Sequence, residues 1–171
     1  MAHDVGILLI RVIVGAALAS HGAQKLFGWF GGHGIKGTGG FFEGLGFHPG
    51  TLFATAAGGA EFFGGLLIVL GLGGPLGAVL VGATMLVAII TVHLKNGFFA
   101  GSNGVELPLI YAAAAFGLAF AGPGSLSLDH AAGWTALDSP GIAWLGLALA
   151  VVGALGNIAL RRPAEKSQLA T

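Results

Sequence analysis

Residues 51–93 read TLFATAAGGAEFFGGLLIVLGLGGPLGAVLVGATMLVAIITVH, two apolar runs hinged on Gly73-Gly74-Pro75. Between them, runs 51–72 and 76–93 carry one carboxylate, Glu61, and no Lys or Arg. A helix needs about 20 residues, with a usual range of ~17–25, to cross a hydrocarbon core of ~30 Å. Both runs meet that length, and the breaker triplet between them is short enough to force an antiparallel hairpin. Working outward, the same composition recurs at 5–20 (extending toward 30), 107–121 and 141–160. The first of these spans a bilayer if its helix continues past His21, and the fourth run of the chain is short. The fold expected is an all-α, polytopic membrane helix bundle with five spans.

Bulk composition agrees with that fold. Charged residues make up 8% of the chain, hydrophobic residues 55%, and the mean hydropathy is +0.89; soluble domains carry roughly 25% charged residues. A formal net charge of zero gives no electrostatic footprint for nucleic acid, which requires a basic patch. The absence of cysteine excludes disulfides, thiol relays, thiolate-bound metals and Cys-attached haem. Any redox chemistry must use electrons held on something the protein binds. Ala17-Leu18-Ala19 mimics a signal-peptidase site, but the amino terminus is not basic and Arg11 interrupts the apolar run. Retention as a first span is the reading adopted.

Charge between the spans sets an expected orientation. Lys25, Lys36, Lys95, Arg161, Arg162 and Lys166 fall on one side, and the segments on the other side (1–4, 73–75 and 122–140) hold no Lys or Arg. The positive-inside rule then places the amino terminus outside and the 161–171 tail in the cytoplasm. Helix breakers punctuate the chain. Gly122-Pro123-Gly124 ends the fourth run, Ser139-Pro140-Gly141 opens the fifth as N-cap and N1 proline, and Asn103-Gly104-Val105-Glu106 reads as a capping box. Glycine supplies 33 of the 171 residues. Ala57, Gly58, Ala60, Gly64 and Gly65 around Glu61 mark the second run as a packing centre, because small residues let membrane helices approach closely. Segment 28–50 is rich in glycine but also holds Phe30, Phe41, Phe42 and Phe47, so it reads as a loop folded back on the bundle or the interface. Its Gly32-His33-Gly34-Ile35-Lys36-Gly37 matches a dinucleotide fingerprint in letters alone, since no strand precedes it.

Ionisable groups within the membrane are the functional candidates. Arg11 lies in the first run and Glu61 near the middle of the second, so an Arg11–Glu61 ion pair is expected, either as packing glue or in proton handling. His21, Lys25, His93, Lys95 and Glu106 all converge on the basic face beside Phe98 and Phe99. Such a cluster suits a quinone-like ring, whose carbonyls accept hydrogen bonds from His or Lys while its ring stacks on Phe. Haem b iron held by His21 and His93 is the alternative. No metal motif or Ser-His-Asp constellation is present, and no covalent cofactor is expected.

The order Arg11-x3-Gly15, His21-Gly22-x2-Lys25-Leu26-Phe27-Gly28, Gly37-Thr38, Phe42 and Glu61-x2-Gly64-Gly65 resembles the DoxX family of small bacterial integral membrane proteins. The likeness continues through His93, Asn96-Gly97-Phe98-Phe99, Gly104-x-Glu106, Gly122-Pro123-Gly124 and Ser127-Leu128-Asp129, about three quarters of the chain. It implies a four-helix membrane bundle over 1–130, to which 131–160 adds an outer loop and a fifth span. Named relatives are linked to a terminal quinol oxidase and to thiosulfate:quinone oxidoreduction. The function implied is a quinone-interacting or anchoring subunit of a membrane oxidoreductase, working in the lipid bilayer beside a redox partner or in an oligomer. The competing expectation is a non-catalytic scaffold or small-molecule permeation protein.

Overall fold

The computed structural model describes residues 1–162, and among these the chain is all-α. In chain order the helices are α1 (Ala2–Phe27), α2 (Gly34–Gly44), α3 (Gly50–Leu70), α4 (Leu76–Ala88), α5 (Glu106–Ala121), α6 (Leu128–Ala131) and α7 (Pro140–Ala159). A π-helical turn (Ile89–His93) and a 3-10 turn (Leu94–Asn96) prolong α4. Segments Ala2–Phe27, Gly50–Leu70, Leu76–Asn96 and Pro140–Ala159 are long and apolar enough to cross a membrane. α5, at 16 residues, extends about 24 Å at ~1.5 Å per residue. Their outer faces are apolar (Leu9, Ile13, Leu52, Phe63, Trp144 and Val152 are all exposed), an arrangement suited to lipid rather than water. The chain is a multi-pass membrane protein.

Small residues set the packing. α1 lies most extensively against α3, and α4 is the hub that touches α3, α5 and α7. A Cβ added to Gly15 would sit 2.6 Å from the carbonyl oxygen of Gly65, and one on Gly22 would sit 2.6 Å from that of Gly58. The backbones of α1 and α3 therefore touch at two levels, which gives the close dispersion contact that lipid cannot drive hydrophobically. Leu18, Ile68, Val81, Met85 and Ala115 fill the shared core.

Two expectations change. Segment 28–50 is not a simple loop: α2 is helical and lies on α3. Glycine lowers helix propensity, but tertiary contact decides here, with Gly39 buried against Thr51. The capping box at 103–106 does not form. Asn103 instead closes the preceding turn at φ 61°, and the Glu106 carboxylate accepts from the Ala100 amide at 2.7 Å. Ser139 and Pro140 do open α7, although no Ser139 side-chain cap bond is made. Beyond Arg162, the polar tail expected over 161–171 lies outside the described residues.

Candidate functional site

α3 and α7 both pack on α4 and make little contact with each other. The gap between them, at the end of the bundle that carries Lys25, is a cavity of about 550 Å³. Phe41, Phe42, Phe47 and Phe53 form an aromatic wall, α4 and the π-helical turn after it supply the floor from Val79 to His93, and Lys25 with Glu61 adds a charged edge. Phe42, Phe47 and Phe53 follow one another at centroid spacings of 5.9 and 5.1 Å. Arg161, just past α7, donates from Nε to the Leu45 carbonyl at 2.8 Å and lies over the Phe47 ring. The Arg162 amide donates to the Gly46 carbonyl at 2.8 Å. The end of the fifth span is thereby tied to the aromatic wall.

The buried ion pair of the bundle is Lys25–Glu61, not the expected Arg11–Glu61. Glu61 is 1% exposed, and its Oε2 has no hydrogen-bond partner. Helix register explains the change. Gly15 faces Gly65 and Gly22 faces Gly58, so residue 61 comes level with residue 19. That is eight residues, or about 12 Å, from Arg11, beyond the reach of either side chain. Lys25, from the last turn of α1, reaches back along its own helix to Glu61.

Arg11 is satisfied elsewhere. Its guanidinium donates to the carbonyls of Ile68 (3.0 Å), Val69 (2.7 Å), Pro123 (2.7 Å) and Leu126 (2.9 Å). It thus caps α3, adding a second donor to the Ile68 carbonyl that already accepts from the Gly71 amide, and ties down the 123–126 turn. Beside it, fully buried Asp129 accepts from the Gly73 and Gly74 amides at 2.8 and 2.6 Å. This polar knot pins the end of the bundle opposite the cavity. Asp138, in the turn before α7, has a buried Oδ1 with no partner. Burial, reinforced by the Asp129 charge, pushes its carboxyl above the usual range.

The expected cluster at the basic face divides. Lys25 and His93 line the cavity; His21, Lys95, Glu106, Phe98 and Phe99 are not among its lining residues. His21 is exposed, its Nδ1 3.1 Å from Gln24 Oε1 and its ring edge-on to Tyr111. Lys95 is exposed, and Phe98 and Phe99 meet each other edge to face at 5.4 Å on the surface. His93 Nδ1 donates to the Asn103 carbonyl at 2.8 Å, which leaves Nε2 as its acceptor nitrogen. Residue-type reasoning missed the wall of Phe41, Phe42, Phe47 and Phe53 and the polar groups Asn103 and Asn157. The signal for part of it was present, since a glycine-rich segment with four phenylalanines needs a surface on which to bury them.

A family model described as DoxX matches residues 6–94. The chain is also 33% identical over 128 residues to a Bacillus subtilis (strain 168) protein named "Putative oxidoreductase CatD". That match covers 75% of this chain and 87% of the relative. No solved structure matches the chain.

Proposed function

The chain belongs to the DoxX family, and from that premise we propose that it is the quinone-interacting membrane subunit of a redox system, with the α3–α4–α7 cavity as the ligand site. The observation that carries this reading is the Lys25–Glu61 pair set into an aromatic-walled cavity, with one carboxylate oxygen left unpartnered. A volume of about 550 Å³ lies within the ~300–1,000 Å³ typical of small-molecule sites. A quinone bound there would supply the two-electron chemistry that a cysteine-free chain lacks. Lys25 would donate a hydrogen bond to a ring carbonyl. Glu61, in contact with that ammonium, would hold one of the two protons taken up on two-electron reduction, and the second would come from water at the open side of the cavity. Phe42 offers a ring face for stacking, Phe47 backs it as a buried ring covered by Arg161, and His93 Nε2 would accept from a hydroxyl of the reduced ring. The name of the B. subtilis relative supports an oxidoreductase setting, in which a partner would hold the electron donor.

The test is direct. Protein in nanodiscs, titrated with a short-chain benzoquinone and followed by tryptophan and tyrosine quenching, should bind saturably. Lys25→Met and Phe42→Ala should each weaken binding about tenfold, the loss of one good contact. A wild-type protein that shows no saturable binding and releases no quinone on solvent extraction would refute the reading and leave a scaffold. The proposed orientation has the amino terminus outside and Lys25, Lys36, Lys95 and Arg161 on the cytoplasmic side of a bacterial cell membrane. Reporter fusions after residues 74, 100, 130 and 171 should alternate, with 100 and 171 cytoplasmic. A cytoplasmic signal at 130 would overturn it.

A further inference from the structure

The cavity reaches the outer surface of the bundle on one side. Ala56 on α3 and Gly153 on α7 both line it, and both are exposed. Each lies six residues from the end of its helix at the cavity, about 9 Å inward at ~1.5 Å per residue. That depth is hydrocarbon, not headgroup. The seam between them is built of small side chains, with Ala57 and Ala60 continuing it toward Glu61. At Gly153 an added Cβ would meet nothing within 4 Å, so the space beside it is open. Above the seam, the Arg161 and Arg162 contacts hold the aromatic segment against α7.

We propose that α3 and α7 form the two sides of a lateral portal, through which the site takes an amphiphile from the bilayer: a flat carbonyl-bearing ring on an apolar tail. The ring lies at Lys25 and Glu61, where the ammonium donates to a ring carbonyl and the unpartnered Oε2 accepts from the hydroxyl of the reduced ring. The tail leaves between Ala56 and Gly153 into lipid. Leu149, exposed on the cavity wall one turn from Gly153, gives that tail an apolar side chain to lie against. The fifth span, which lies outside the family match over residues 6–94, is thus the wall that selects for tailed ligands. This inference rests on the quinone reading for the nature of the ring.

The experiment compares 2,3-dimethoxy-5-methyl-1,4-benzoquinone with its decyl derivative, each titrated into wild type, Gly153→Leu and Gly156→Leu in nanodiscs. Gly156 also has open space around it but does not line the cavity, so it controls for a bulky side chain on the same helix. Comparing variants with one probe cancels the partitioning of the decyl tail into lipid. Gly153→Leu should weaken the decyl probe about tenfold and the tailless ring less than about twofold, while Gly156→Leu changes neither. Equal weakening of both probes by Gly153→Leu, or no effect on either, would overturn the portal and leave the quinone site standing. Wild type that binds neither probe would remove the quinone reading, and the portal's ligand with it.

Discussion

Lys25→Met should destabilise the bundle more than Glu61→Gln, and combining them should recover part of the loss. Glu61 is 1% exposed, and its Oε1 bonds to Lys25 while its Oε2 has no partner. Removing Lys25 strands a carboxylate with neither oxygen satisfied. Breaking a buried pair from one side costs ~3–5 kcal/mol. Lys25 is 28% exposed, so the pair is only partly desolvated and the lower end, about 3 kcal/mol, is expected. Glu61→Gln leaves a partly hydrated ammonium facing an amide that can still accept, a loss of about 1–2 kcal/mol. The double variant should be more stable than Lys25→Met alone, with a coupling energy of ~1–2 kcal/mol. Unfolding by SDS in mixed micelles, read by far-ultraviolet circular dichroism, measures all four corners of the cycle. Two equal single losses that simply add would show that the pair contributes nothing and that the register drawn from Gly15, Gly22, Gly58 and Gly65 is wrong.

Arg11→Lys should fail to substitute for Arg11, because a lysine keeps the charge but cannot reach four carbonyls on two segments with a planar fork. A loss of about 2–3 kcal/mol for Arg11→Lys, and more for Arg11→Met, is expected in the same titration as buried acceptors go unsatisfied. Asp138 gives a pH signature. Its folded carboxyl sits above the ordinary value because of burial and the Asp129 charge, so the folded state holds this proton more tightly than the unfolded one. Its contribution to stability is full below the unfolded value, near 3.8, and is lost as pH rises through the raised one. Asp138→Asn should therefore raise thermal stability at neutral pH and flatten the decline above pH ~4. A steeper decline in the variant would contradict the assignment.

The spans were legible because the bilayer imposes a length, and Gly73-Gly74-Pro75 and Ser139-Pro140 turn the chain into α4 and α7 by backbone geometry, although α3 itself stops earlier, at left-handed Gly71. Helix α2 was not legible. Its glycines argue locally against a helix, and it exists through burial on α3 at Gly39, a contact that no window of sequence contains. The ion pair was misassigned for a related reason. Arg11 and Glu61 were matched by approximate depth, when a shift of two turns changes every neighbour. The correct register was written in the sequence as one spacing used twice. Gly15 and Gly22 are seven apart on one helix, and Gly58 and Gly65 are seven apart on the next. Antiparallel alignment of those two pairs brings Glu61 level with the carboxyl-terminal half of α1, within reach of Lys25.

That register also bears on how the site divides between the parts of the chain. Lys25, Glu61 and His93 all lie within residues 6–94, the segment matched by the family, and the close α1–α3 contact fixes the first two of them. The same helices alone would leave this chemistry on an open groove facing lipid, because α3 and α4 wall it on one side and beneath. Leu149, Gly153 and Asn157 of α7 supply the opposite wall, and Arg161 fastens that wall to Leu45 and Phe47. The buried charge comes from one part of the chain, and the enclosure comes from another. On the proposed quinone reading, substitutions at the α7 residues that line the cavity should therefore change which ligand is held, and substitutions at Lys25 or Glu61 should change whether any ligand is held.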